Sequence, residues 1–199
     1  GGEVPKPEYE SDEVFMICMT VHWYDENEPL QKICLCTQDL NTNEDWMFKK
    51  SNSQEELILD FAYCVKAVNP DIMIGFNDGG YDWPFILKKA EQFDILREFV
   101  NVMEEKKFSG SSLEDAKFNI HEKCIKITPQ DSVKVMYFRK PGVLMMDVMV
   151  SCRKRYSNSE KNSLSYFLEI ANLEGKMNLS HLTLRKYYHD AKEGITGPK

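Results

Sequence analysis

The sequence predicts an α/β layered domain, and three observations carry that prediction. Apolar runs of strand length at residues 14–23, 31–37, 71–76 and 143–146 are interleaved with amphipathic stretches at helical spacing. A length of 199 residues suits one ordinary domain and is too short for several. A composition of 42% hydrophobic and 29% charged residues is that of globular proteins, which excludes disordered, collagen-like and coiled-coil chains.

Each element follows from its residues. Residues 14–23 form a nearly continuous apolar run, suited to a central strand covered on both faces. Asp, Glu, Asn and Pro at residues 24–31 mark a turn, and residues 32–37 return as the second strand of a hairpin. Residues 39–50 read as a polar loop. Ser51 or Ser53 caps a helix over residues 53–68, with Glu55 and Glu56 in its first turn, where carboxylates favour the helix dipole. Leu57, Phe61, Cys64, Val65 and Val68 form its apolar stripe, and Asn69-Pro70 stops it. A short strand over residues 71–76 breaks at Asn77-Asp78-Gly79-Gly80, and one helix is expected over residues 83–106. Residues 109–115 are a Ser/Gly loop. Residues 124–127 and 133–138 form a second, projecting hairpin, and Pro141-Gly142 turns into a buried strand ending at Asp147. Helices follow near 148–156, 162–172 and 180–191. The expected architecture is one mixed sheet flanked by helices.

Composition narrows the function. A net charge of -7 argues against a dedicated duplex-DNA binder. Residues 117–161, however, carry ten Lys/Arg against four Asp/Glu, a local charge of +6 on an otherwise acidic chain. Such a stretch either tracks a phosphate backbone or is a solvated face. No run of 18 apolar residues is present, so no membrane span is expected. The start, Gly1 to Pro5, has neither the basic nor the apolar region of a signal peptide and no initiator Met, so the chain is expected to be a piece of something longer. The six cysteines lack a tight spacing code and read as reduced core residues of an intracellular protein.

The stretch richest in chemistry runs from Pro70 to Ile86. A buried strand delivers a polar, Gly-rich bend to the edge of a sheet, and ligands favour the carboxyl ends of strands in open α/β sheets. Asn77 offers an amide, Asp82 a carboxylate, and Tyr81 a flat ring on which a base or sugar could lie. The plainer alternatives are an ordinary turn at residues 77–80 and an N-cap role for Asp82 ahead of Pro84.

Asn77-x3-Tyr81-Asp82, preceded by Asn69-Pro70-Asp71-Ile72-Met73-Ile74-Gly75, resembles the second exonuclease motif of family B DNA polymerases. The strand from Pro141-Gly142 to Asp147 and the stretch Lys161-Asn162-Ser163-Leu164-Ser165-Tyr166-Phe167-Leu168 resemble later parts of the same domain, in the same order. The resemblance implies a ribonuclease-H-like exonuclease fold with a projecting β-hairpin, residues 1–199 forming a single, partial domain. It also implies removal of mismatched 3′ nucleotides, in which carboxylates from three motifs hold two Mg²⁺ or Mn²⁺ ions. Asp82 would be a catalytic metal ligand, and Asn77 and Tyr81 would position the frayed strand. The implied partners are the DNA primer 3′ end, single-stranded DNA, the remaining polymerase domains and a processivity factor. The implied location is the nucleus, or a cytoplasmic replication site for a viral enzyme.

The first motif of that family, Asp-x-Glu, is not in the chain and is expected just upstream of it. The third, Tyr-x3-Asp, is not matched by Tyr187-Tyr188-His189-Asp190 and is expected beyond Lys199. The chain alone is therefore expected to be inactive. Lys134, Arg139 and Lys140 in the basic hairpin are expected to contact the primer strand. Reversing their charges should weaken DNA binding and flatten its salt dependence, whereas an unchanged salt slope returns the segment to a solvated face. A rival reading is a non-catalytic α/β module that holds single-stranded DNA or a partner protein. A zinc site is set aside, because Cys34-x-Cys36 and His121-x2-Cys124 lack the paired ligands of a closed site.

Overall fold

The computed structural model describes residues 4–40, 45–104, 113–175 and 179–194. Its elements run β1 (Met16–Val21), β2 (Gln31–Cys36), β3 (Trp46–Lys50), α1 (Gln54–Val68), β4 (Ile72–Gly75), α2 (Asp82–Gln92) and α3 (Leu96–Glu104). Then follow α4 (Leu113–Lys117), β5 (Ile120–Lys126), β6 (Ser132–Phe138), β7 (Leu144–Asp147), α5 (Val148–Arg155), α6 (Leu164–Ile170) and α7 (His181–Lys192).

The α/β class is as expected, but the single mixed sheet is not what forms among the described residues. β1, β2 and β3 make one sheet, β4 and β7 a second, and β5 and β6 a third. β1 pairs antiparallel with β2, Cys18 facing Cys34, while β2 pairs parallel with β3 and β4 parallel with β7. The reason lies at two edges. β1 bonds only to β2 and β4 only to β7, so no described strand joins the first sheet to the second. β1 is for the same reason only half-buried, rather than a central strand covered on both faces.

Three local readings also change. β3 lies in residues expected to be loop, where Trp46 and Phe48 alternate with Met47 and Lys49 at the strand period. The helix expected over residues 83–106 is two, because Asp94 adopts a left-handed backbone at φ 57 and ends α2. The N–H of Ile95 then reaches back to the carbonyl of Ala90 (3.0 Å), as after a C-terminal glycine. α4 begins inside the expected Ser/Gly loop, whose residues 109–112, like the helix end at 105–106, lie outside the described residues.

α1 forms as expected. The Ser53 hydroxyl accepts the N–H of Glu56 (3.1 Å), and left-handed Asn69 closes the far end. Ser51 is not the cap. It is fully buried and donates to Asp60 (2.7 Å), which Lys49 also pairs with. α1, α2 and α3 bury Leu57, Phe61, Trp83, Ile86, Phe99 and Met103 against Ile33 and Leu35 of β2 and Phe138 of β6. All six cysteines are free. Cys34 and Cys36 are buried, and burial pushes the Cys34 thiol up to about 12, but Cys18 and Cys124 are exposed rather than in the core. No described helix is long and apolar enough to cross a membrane.

The arm before β1 is fastened down. Buried Lys89 of α2 donates to the carbonyl of Tyr9 (2.8 Å), and Arg185 of α7 pairs with Asp12. Tyr188 donates to Glu13 (2.6 Å), and its ring stacks on Phe15 with centroids 4.4 Å apart. Residues 9–15 are thereby held against α2 and α7.

Candidate active site

β4 and β7 run parallel and end together, with Gly75 beside Asp147. Past β4, Asn77 takes a left-handed backbone, φ 60, which Asn tolerates better than most side chains. Its carbonyl accepts the N–H groups of Gly80 (3.2 Å) and Tyr81 (3.0 Å), closing the bend, and the N–H of Trp83 bonds to the carbonyl of Asp78 (2.9 Å). α2 then begins at Asp82. Asp82 is thus the first helical residue rather than the cap: the capping position is Tyr81, whose side chain makes no capping bond. A carboxylate in this first turn sits at the positive end of the helix dipole.

The two carboxylates of the bend differ. Asp78 folds back over Gly75, where an added Cβ would lie 2.4 Å from its carboxyl group, so any larger residue there would push the Asp78 side chain aside. It accepts from the N–H of Gly79 (2.8 Å) and from the Trp83 side chain. Burial, and next the negative charge of Asp147, push its carboxyl up from 3.8 to about 6. Asp82 is exposed to solvent. Its pKa is nevertheless raised, first by partial desolvation and further by Asp147, against its own backbone N–H, which lowers it.

The Asp78 shift has a sign that can be checked. The folded state binds this proton more tightly than the unfolded chain, so the stabilisation is full below the unfolded value of 3.8 and is lost as pH rises through about 6. Asp78→Asn, which stays neutral, should match wild type in thermal midpoint below about pH 4, exceed it increasingly as pH rises from 3.8 to about 6, and keep a constant lead above that. A midpoint difference that does not change over this window contradicts the assignment.

A cavity of about 510 Å³ opens beside the bend, lined by β1, by β4 and by Pro5, Asp78, Tyr81 and Asp82. The Tyr81 hydroxyl donates to the carbonyl of Pro5 (3.1 Å), and its ring tilts against Phe85 with centroids 5.8 Å apart. Tyr81 and Asp82 therefore share the cavity wall, while Asn77 shapes the bend.

The basic hairpin rests on the same bend. The N–H of Met136 in β6 donates to the carbonyl of Gly79 (2.7 Å), and Val135 packs beside that glycine. Lys134 is exposed and pairs with Glu122 across the hairpin (2.6 Å), and Arg139 is exposed just past β6. Lys140 corrects the sequence reading. It is 5% exposed and its ammonium donates to the carbonyl of Met103 (2.8 Å), so it anchors the chain instead of meeting a phosphate. His121 and Cys124 of β5 stand an odd number of residues apart, which puts them on opposite faces of the strand.

Asp147 is the participant that sequence reasoning missed, having been read only as the end of a strand. Its Oδ1 accepts the N–H groups of Asn77 and Met149, both at 2.9 Å. The available signal was a carboxylate closing an apolar strand directly before a helix, the position of an N-cap.

The donor set does not complete a metal site. Among the described residues, no group of three or more His, Cys, Asp or Glu side chains is placed to hold an ion. Asp82 offers one hard oxygen donor of the kind Mg²⁺ or Mn²⁺ takes.

Known proteins match this arrangement at the level of sequence. The profile of the "DNA polymerase family B, exonuclease domain" matches residues 1–169. DNA polymerase beta of African swine fever virus, in a Kenyan pig isolate, is 38% identical over 189 residues, which is 94% of this chain and 16% of that protein. A DNA polymerase of Phaeocystis pouchetii virus is 22% identical over 176 residues, 80% of this chain and 16% of its own length. One from Archaeoglobus fulgidus is 34% identical over 56 residues, covering 28% of this chain and 7% of that protein. The chain spans about a sixth of the length of the viral relatives it matches. The profile covers the bend, the hairpin and all of the cavity lining but Leu184, and this chain belongs to the exonuclease domain of family B DNA polymerases.

Proposed function

We propose that the chain is the proofreading part of a DNA polymerase, a single partial domain of ribonuclease-H-like fold that removes mismatched 3′ nucleotides. One observation carries the reading: Asn77-x3-Tyr81-Asp82 lies at the carboxyl end of β4, with the ring and the exposed carboxylate on the wall of one cavity. That cavity separates β1 from β4, and a further strand there, carrying the family's Asp-x-Glu, would join the sheets and bring its carboxylates toward Asp82.

In this reading Asp82 supplies one oxygen ligand to a divalent ion, and the remaining ligands come from outside the described residues. Such ions, when bound, would stabilise the charge on the reacting phosphate. The Tyr81 ring carries the terminal base or sugar by stacking, and Asn77 holds the bend that sets both. Lys134 and Arg139 on the hairpin steer the primer strand toward the cavity. The partners are a primer 3′ end, single-stranded DNA, the other polymerase domains and a processivity factor. The place of action is the nucleus, or a cytoplasmic replication site if the protein is viral.

A second reading is a module that holds single-stranded DNA without cutting it; among the described residues Asp82 is not joined by a group of further ligands. One experiment separates the two. Full-length protein given Mg²⁺ and a primer with a mismatched 3′ end should release single nucleotides from that end. Tight binding of the same primer without release supports the binding module.

A further inference from the structure

We propose that Asp147 is a positioning residue for excision, holding the bend that presents Asp82 through the backbone amide of Asn77. The proposal rests on the reading of this bend as an excision site. The ladder between β4 and β7 ends at the pair Gly75 and Asp147, so the amide two residues on, that of left-handed Asn77, needs an acceptor from outside the ladder. Asp147 Oδ1 provides it at 2.9 Å, and the same oxygen caps α5 by accepting from Met149 at 2.9 Å. One carboxylate oxygen thus ties together the end of β4, the end of β7 and the start of α5.

The second oxygen points the same way. Asp147 Oδ2 is buried with no hydrogen-bond partner among the described residues. It lies 3.5 Å from where a Cβ on Gly79 would stand, so the carboxylate is packed against the bend itself. Met136 of the hairpin holds the carbonyl of Gly79. The bend is therefore held by both β7 and β6, and the direction in which Asp82 leaves it depends on both. Small misplacements of a reacting group cost large factors in rate, which makes an anchor one step removed from the chemistry kinetically visible. The hydrogen bonds need an oxygen acceptor, not a negative charge, and an asparagine can supply one.

The test compares Asp147→Ala and Asp147→Asn in the full-length protein, with Asp82→Ala alongside. Three quantities are read: kcat and KM for release of 3′ nucleotides, and hydrogen exchange of peptides covering residues 76–82. The Ala variant should lose roughly tenfold to a hundredfold in kcat with little change in KM, and exchange in the bend should quicken. The Asn variant should recover most of both. Wild-type kcat and unaltered exchange in the Ala variant overturn the proposal, and so do equal losses in Ala and Asn, which would assign the effect to charge. If Asp82→Ala still excises, the excision reading fails by itself, and the exchange pattern continues to decide whether Asp147 holds the bend.

Discussion

Asp82→Ala in the full-length protein is expected to lower 3′-terminal excision roughly a thousandfold and to leave chain extension intact. Asp82 is the carboxylate that opens to solvent on the cavity wall, whereas Asp78 is folded over Gly75 and held by Gly79 and Trp83. In the proposed site, replacing Asp82 with alanine would remove an ion ligand and the charge that balances the ion, and losing one ligand from such a site costs several kcal/mol, about 4 for a thousandfold. Extension should survive because its metals would be held by another domain. The substitution should also leave the fold intact, since the Asp82 side chain is exposed and is not the cap of α2. Paired measurements of excision and extension on the same primer check this. Undiminished excision removes Asp82 from the role and makes Asp78 the next candidate.

Phe99→Ala should be the most damaging single change to the fold, at about 3–5 kcal/mol. Phe99 is 0% exposed, packs 6.4 Å from the Phe61 ring of α1, and meets Phe138 of β6 edge-on at 6.1 Å. It therefore joins the α1–α3 layer to the hairpin that rests on Gly79. Truncation leaves a cavity the size of a phenyl ring where three elements meet. Urea unfolding of this chain should show the loss as a lower midpoint with an unchanged slope. Phe99→Leu, which refills much of the volume, should recover most of it. A midpoint within experimental error of wild type would mean that this layer does not carry the core.

Much of this was legible in the residues, and the largest failures share one cause. α1 could be read closely because its cap, first-turn acids, apolar stripe and Asn-Pro stop all agree. The bend could be read because two adjacent glycines after a short apolar strand leave little else possible. Asp94 was missed as a helix end because an aspartate in the left-handed region looks, in sequence, like any polar helical residue. β3 was missed because its alternation spans only five residues and ends in two lysines. The sheets were read as one because strand pairing is a long-range property, and the free edges of β1 and β4 leave no mark in either strand's own residues. Lys140 and Asp147 were misjudged for the same reason. Their partners, Met103 and Asn77, lie 37 and 70 residues away, and only the fold brings them together.

The most direct test of the bend as the place where a 3′ end is held is photocrosslinking. A primer with a photoreactive base at its unpaired 3′ terminus is bound to the full-length protein, and the attached peptide is sequenced. Attachment within residues 76–86, lost when Tyr81 is replaced by alanine, is the expected result. Attachment confined to other parts of the protein, with the wild-type bend unlabelled, would contradict it.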